Sequence, residues 1–217
     1  MKKVITVLLI VLSWGFVAAQ DTSETPSYEK RVFHMDEDEM PYAILLPENY
    51  DASKSYPLLL FLHGAGERGS DNERQLIHGA SLFTAQSFRK KYPAIILIPQ
   101  CGSSDYWSNV KKEVTQGGLP DFSFYKKGAP TKAMLLLEGL LDEVLQNYSL
   151  DKNRLYVGGL SMGGMGTFEL VKRNPKMFAA AFPICGGASP KAIRKYKRPS
   201  WWVFHGNADP VVPADFS

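Results

Sequence analysis

The chain has 217 residues, of which 45% are hydrophobic and 22% are charged, as in an ordinary globular protein of one domain. Its formal net charge of +3 includes Lys2 and Lys3, so the rest of the chain is close to neutral. This charge gives no indication of a partner such as nucleic acid or an anionic membrane.

The first twenty residues have the pattern of a secretory signal. Lys2 and Lys3 precede an almost wholly apolar run over 4–17, and Val17-Ala18-Ala19 supplies the small residues of a cleavage site. The apolar run is too short to hold a membrane well. We therefore predict a signal peptide over 1–19, a secreted or periplasmic protein, and no stable membrane insertion after cleavage. The alternative is an uncleaved N-terminal anchor.

A polar segment over 20–27 is interpreted as a linker, and 28–217 as a single domain. In this domain short strand-like segments alternate with helical or loop segments, and the later strands are uniformly apolar. Such strands are typical of a mostly parallel sheet that is covered on both faces. The first two, joined by an acidic turn, predict an antiparallel hairpin at one edge. The predicted strands are 28–35, 42–46, 57–62, 94–98, 154–157, 178–184 and 201–204.

The clearest helix is predicted over 131–148, where apolar residues recur at spacings of three and four. Further helices are predicted over 71–90, 161–173 and 189–197. Residues 101–130 are expected to form a long irregular segment, which is unusual unless it shapes a binding site.

The most informative motif is a Gly-x-Ser-x-Gly turn formed by Gly159, Ser161 and Gly163, with a strand before it and a helix after it. This context is that of a nucleophile elbow, in which the serine hydroxyl is exposed at the apex of a sharp turn. The glycines are expected there because side chains would collide with the neighbouring strand and helix.

A serine hydroxyl needs a base to take its proton, and acyl transfer needs N–H donors for the oxyanion. One donor is the backbone N–H of Met162 at the start of a helix. The second is expected from the Gly-rich turn 63–66, most simply from Ala65, although a plain glycine turn is the alternative. Asp209 follows the last strand and comes after Ser161 in chain order, so it is the candidate that orients the base; alternatively it only caps a turn.

Three motifs resemble the α/β-hydrolase superfamily: Phe-Leu-His-Gly-Ala-Gly-Glu-Arg-Gly-Ser-Asp-Asn over 61–72, Gly-Gly-Leu-Ser-Met-Gly-Gly over 158–164 and Trp-Val-Phe-His-Gly-Asn-Ala-Asp over 202–209. They are most similar to secreted bacterial esterases of the phospholipase/carboxylesterase and polyhydroxybutyrate-depolymerase-like group, near the prolyl oligopeptidase and feruloyl esterase branches. The resemblance implies a three-layer α/β sandwich. It also implies Ser161 as nucleophile, Asp209 as triad acid, and Ala65 and Met162 as oxyanion donors.

The chain departs from that family in its histidines. The family places its catalytic histidine after the acid, but no histidine follows Asp209 here. His34, His63, His78 and His205 are poor candidates for the base, and we expect His63 and His205 to hold loops together. The prediction is that the catalytic histidine is not in this chain, that the last strand and closing helix of the fold are missing, and that these residues alone are poorly soluble and nearly inactive.

The leading interpretation is a secreted serine esterase whose substrate is a small-molecule or polysaccharide-linked ester. A peptidase acting on short peptides and a non-catalytic binding protein of the same fold remain alternatives. Tyr106 and Trp107 could line an acyl or alcohol pocket, or could equally be core packing.

No cofactor is implied, and the motifs of metal and phosphate sites are absent from the sequence. A disulfide between Cys101 and Cys185 is not expected, because two strands of the predicted sheet should lie between them.

Overall fold

The computed structural model describes residues 27–114, 120–125, 128–193 and 196–217. The predicted signal peptide and nearly all of the predicted linker lie outside these ranges and stay predictions. In the part of the chain that is described, no helix is both long enough and apolar enough to span a membrane.

A seven-stranded sheet forms the centre of the domain, and a separate two-stranded hairpin lies beside it. The strands in chain order are β1 (Glu29–Met35), β2 (Asp38–Leu45), β3 (Tyr56–Leu62), β4 (Ile95–Pro99), β5 (Val110–Val114), β6 (Pro120–Phe124), β7 (Leu150–Leu160), β8 (Ala180–Ile184) and β9 (Ser200–Trp201). The order across the large sheet is β1-β2-β4-β3-β7-β8-β9. β1 pairs antiparallel with β2 and β2 with β4, whereas all other neighbours are parallel. This confirms the predicted mostly parallel sheet with an N-terminal hairpin.

Helices cover both faces of the sheet, because its central strands carry apolar side chains on both faces. The helices are α1 (Ala80–Thr84), α2 (Gln86–Lys91), α3 (Lys132–Asn147), α4 (Met162–Arg173) and α5 (Pro190–Ile193). Successive side chains of a strand point to opposite faces. Leu58, Leu60 and Leu62 of β3 therefore pack into the main core with α3 and α4, while Leu59 and Phe61 pack with α1 and α2. The result is three layers.

The longest helix forms where its apolar periodicity predicted it. Met134, Leu137, Leu141 and Val144 of α3 are buried in the main core. The Thr131 side chain accepts a hydrogen bond from the Met134 N–H at 3.1 Å and so caps the start of the helix.

The helix predicted over 71–90 is wrong in its first half. Residues 71–79 form a loop with a single 3₁₀ turn, because the Asp71 carboxylate accepts the backbone N–H groups of Glu73 and Arg74. Gly79, at φ +86°, then separates this loop from α1. The helix predicted over 189–197 is seen as α5, and residues 194–195 lie outside the described ranges.

The segment 101–130 contains the hairpin β5–β6, which the prediction of an irregular segment missed. Val110 pairs with Phe124 at one end of its antiparallel register. The last predicted strand is shorter than expected, since only Ser200–Trp201 forms β9 and an isolated bridge joins Phe204 to Ile184.

The two cysteines are free, as expected. Cys101 follows β4 and Cys185 follows β8, and the sheet order places β3 and β7 between these strands.

Candidate functional site

Ser161 lies in a sharp, strained turn between β7 and α4. Its φ of 54° and ψ of −116° lie outside the regions that a non-glycine residue adopts easily. Its N–H donates to the Ile184 carbonyl at 2.8 Å, and its carbonyl accepts the Met165 N–H at 3.0 Å. These bonds to β8 and to the first turn of α4 hold the turn in place.

The flanking glycines permit backbone contacts that any side chain would block. A Cβ added to Gly163 would lie 2.0 Å from the Leu62 carbonyl oxygen, and one added to Gly159 would lie 2.6 Å from the same atom. The start of α4 therefore packs directly against the end of β3, and the serine turn adjoins the loop that follows β3.

The N–H of Met162 is one of the first in α4 and has no partner within the helix. In the described ranges no other group accepts a hydrogen bond from it. Because the positive end of the helix dipole lies there, this N–H is suited to bind a negative oxygen next to Ser161.

A second free N–H belongs to Ala65, which begins a 3₁₀ turn over Ala65–Glu67. The carbonyl of Gly64 is hydrogen-bonded to His63 Nδ1 at 2.6 Å and to the Glu67 N–H at 3.4 Å. In a trans peptide the N–H points away from the carbonyl, so the Ala65 N–H faces the opposite direction. Of the described groups, none accepts a hydrogen bond from it.

Both ring nitrogens of His63 are engaged in hydrogen bonds to the backbone. Its Nε2 accepts the Cys101 N–H at 2.9 Å, so the proton lies on Nδ1, which donates to the Gly64 carbonyl. The side chain is only 1% exposed, and this burial lowers the pKa of His63 to about 4. The imidazole is therefore neutral and holds the loop, in agreement with the role expected for it.

Trp107 is a core residue. It is fully buried, and its indole N–H donates to the His63 carbonyl at 3.1 Å. Its ring meets that of His63 edge-on, with centroids 5.3 Å apart. Trp107 is thus packed in the core, and Tyr106 beside it is half-buried against the same core.

Asp209 follows β9, and Ser161 follows β7. Because β7, β8 and β9 are parallel, both residues lie at the carboxyl ends of these strands. Its Oδ1 accepts the N–H groups of Val212 at 3.0 Å and Val211 at 2.8 Å, and these bonds hold the pKa of the carboxyl below its usual value. Val212 is buried against Met165 of α4, so the Asp209 turn packs near the helix that follows Ser161.

The polar contacts described for the four histidines are all with groups other than Ser161. The Nδ1 atom of His205 lies 2.6 Å from the Ser217 hydroxyl. Its Nε2 atom lies 2.8 Å from the Val212 carbonyl and 3.4 Å from Asp209 Oδ2. His34 is exposed on β1, and His78 lies 3.6 Å from Glu67. Within the described residues no cluster of His, Cys, Asp and Glu is arranged to hold a metal ion.

Comparison with known proteins identifies relatives over most of the chain. Probable feruloyl esterase C of Aspergillus oryzae is 23% identical over 176 residues, which are 80% of this chain and 56% of that protein. A bifunctional acetylxylan esterase/xylanase of Neocallimastix patriciarum is 26% identical over 157 residues, 72% of this chain and 20% of that protein. The crystal structure of a thermostable esterase is 34% identical, with a TM-score of 0.75 over 88% of this chain and 49% of that one.

The chain thus spans about half the length of the feruloyl esterases that it matches. The strand order and the likeness to the thermostable esterase confirm the predicted α/β-hydrolase fold. The model of the family named Esterase, described as "Putative esterase", matches residues 34–212. Because this match covers well over half of the chain, the protein belongs to the Esterase family.

Proposed function

We propose that the protein is a serine esterase that cleaves carboxylic esters through an acyl-enzyme on Ser161. The observation that carries this proposal is the strained turn at Ser161, followed directly by the free N–H of Met162. Strain of this kind persists only where the surrounding structure enforces it, and it is concentrated at functional sites. Ala65, on the adjoining loop, supplies the second donor of the proposed oxyanion hole.

In the proposed reaction Ser161 Oγ attacks the ester carbonyl carbon and its proton passes to an imidazole. The carbonyl oxygen becomes an oxyanion, which the N–H groups of Ala65 and Met162 stabilise. The bond to the alcohol then breaks, and the imidazolium returns its proton to the departing oxygen. Water, activated by the same imidazole, releases the acid and restores the Ser161 hydroxyl.

We propose that Asp209 orients this imidazole and that the imidazole comes from a histidine outside the 217 residues. Both ring nitrogens of His63 and of His205 are engaged elsewhere, which argues against either as the base. The Asp209 carboxylate is ionised at neutral pH, because its pKa is held low, and it can therefore stabilise an imidazolium.

For the substrate we propose an acyl group esterified to a plant polysaccharide or to a small alcohol. Relatives named as feruloyl esterase and acetylxylan esterase support this class of ester. Tyr106, which is half-buried beside the loop of Ala65, is proposed to border the acyl site. The N-terminal pattern over 1–19 supports secretion, so we propose that the enzyme acts outside the cytoplasm.

The test uses the protein as its gene encodes it, with p-nitrophenyl acetate and methyl ferulate as substrates. Hydrolysis and labelling of the protein by a fluorophosphonate are expected, and both should be lost in Ser161→Ala. The loss in kcat should reach roughly 10⁶-fold, as for removal of a triad serine. Hydrolysis that survives Ser161→Ala would contradict the proposal, and faster cleavage of peptide anilides than of esters would favour a peptidase.

A further inference from the structure

The guanidinium of Arg68 connects the loop of Ala65 to the loop that carries Tyr106. Its Nε donates to the Ala65 carbonyl at 3.0 Å, and its Nη1 donates to the Asp105 carbonyl at 3.1 Å. The guanidinium carbon also lies 5.8 Å from the centre of the Tyr106 ring. One half-buried side chain thus contacts two segments that lie far apart in the sequence.

The contact from Arg68 holds the second of the two peptides that meet at Ala65. The peptide before Ala65 is fixed through the Gly64 carbonyl, which His63 and Glu67 bind. The peptide after it leads to Gly66, an exposed glycine at which an added Cβ would meet nothing within 4 Å. Because glycine has no side chain and the widest choice of backbone angles, no packing at position 66 helps to fix this second peptide. Arg68 is the side chain that holds its carbonyl.

The other end of the bridge is rigid. The Asp105 carboxylate accepts the N–H of Ala133 in the first turn of α3, and its second oxygen accepts the Tyr106 N–H. α3 is buried along one side in the main core. Arg68 therefore ties Ala65 to the loop that is anchored at the start of the longest helix.

We propose that Arg68 is a positioning residue that keeps Ala65, whose N–H is the second proposed oxyanion donor, in place against the loop of Tyr106; the Gly64 carbonyl sets the direction of that N–H, and Arg68 sets the position of the residue. The inference rests on the proposed function, since it assigns a task to a residue in the same site. Lysine could not replace arginine, because its ammonium lacks the planar fork that reaches two carbonyls in fixed directions. Arg68 acts through Ala65 and does not touch the reacting atoms.

The test compares Arg68→Ala and Arg68→Lys with the wild-type protein as its gene encodes it. Loss of one oxyanion donor lowers kcat by roughly 10²–10³-fold, and a displaced Ala65 should cost up to that amount. KM for p-nitrophenyl acetate should change less than about threefold, because the donor acts mainly in the transition state. Added guanidinium ion should restore part of the kcat of Arg68→Ala. The matched control is Arg74→Ala, an exposed arginine on the same loop whose side chain pairs only with Asp71 among the described residues.

Thermal unfolding separates positioning from folding. We expect Arg68→Lys to unfold near the wild-type temperature and still to show the low kcat. A kcat within twofold of wild type in both variants overturns the inference, and so does a loss that follows the unfolding temperature and is not rescued by guanidinium. If the wild-type protein hydrolyses no ester, the proposed function itself is contradicted.

Discussion

At the scale of single residues, the serine turn depends on the absence of side chains around it. We predict that Gly163→Ala destabilises the protein by at least 1–3 kcal/mol, on the order of other overpacking substitutions. The added Cβ would lie 2.0 Å from the Leu62 carbonyl oxygen, and because that atom is backbone, α4 would have to move away from β3. Urea unfolding should show the loss as a lower midpoint.

Gly66→Ala is the matched control for this prediction. It lies on the neighbouring loop, and an added Cβ there meets nothing within 4 Å. Its free energy of unfolding should stay within about 0.5 kcal/mol of wild type, as for most surface substitutions. Equal midpoints for Gly163→Ala and the wild-type protein would show that α4 and β3 are not packed as closely as described.

His63 makes stability depend on pH. Burial lowers its pKa to about 4, whereas an imidazole in the unfolded chain has a pKa of about 6.5. Between these values the unfolded chain takes up a proton and the folded protein does not, so the free energy of unfolding decreases as pH falls. The decrease from pH 7 to pH 5 should be on the order of 2 kcal/mol.

His63→Gln should remove this part of the pH dependence, although it also lowers stability at pH 7. The measurement is urea unfolding of each variant at pH 7 and pH 5. His34→Gln is the control, since His34 is exposed on β1 and should leave the difference unchanged. If His63→Gln retained the full wild-type difference, another group would have to be its source.

At the scale of elements, the start of α3 connects the core to the site. We predict that Thr131→Ala destabilises the protein by about 1 kcal/mol, because the Met134 N–H loses its cap. For a domain of this size the melting temperature should fall by roughly 2–4 °C. Thr84→Ala is the control, because among the described groups its hydroxyl bonds only the Ser81 carbonyl, within a five-residue helix. Equal shifts in the two variants would contradict the capping role.

The elements that sequence patterns predicted well are those whose environment is uniform. β3 and β4 are apolar on both faces, and α3 has one apolar side, so burial alone identifies them. The loop over 71–79 was mistaken for a helix because its fate depends on side-chain bonds from Asp71 and on the left-handed Gly79. Periodicity does not contain such information.

The hairpin β5–β6 was missed although one signal was present. Phe122 and Phe124 alternate with polar neighbours, and their rings stack with centroids 6.1 Å apart. The alternation covers too few residues to distinguish a strand from a loop, and the cover for these rings comes from Met165 and Phe216, which are distant in sequence. Tertiary contacts therefore decide the conformation of this segment.

At the scale of the whole molecule, chain order and strand direction were enough to place Ser161 and Asp209 at the carboxyl ends of the parallel strands. The carboxyl ends of parallel strands lie on the same side of the sheet. The residues that follow β7 and β9 can therefore be placed on that side from the sequence alone. The side chains that fix the loops could not be assigned in this way. Trp107 was open to two interpretations because only the packed core reveals that it is buried against His63.

The two edges of the sheet differ in ways that predict self-association. β1, at one edge, carries charged residues. At the other edge, in the segment after β9, Trp202 is 71% exposed and Phe204 is 40% exposed, and the centroids of their rings lie 4.8 Å apart. An exposed apolar strand at an edge is a template for pairing with another chain. We therefore predict that a protein of these 217 residues self-associates, consistent with its expected poor solubility, and that Trp202→Lys weakens this association at least about tenfold. Sedimentation velocity over a range of concentrations measures it, with Val32→Lys at the β1 edge as the control. If Trp202→Lys and Val32→Lys sedimented alike, the apolar edge could not be the contact between chains.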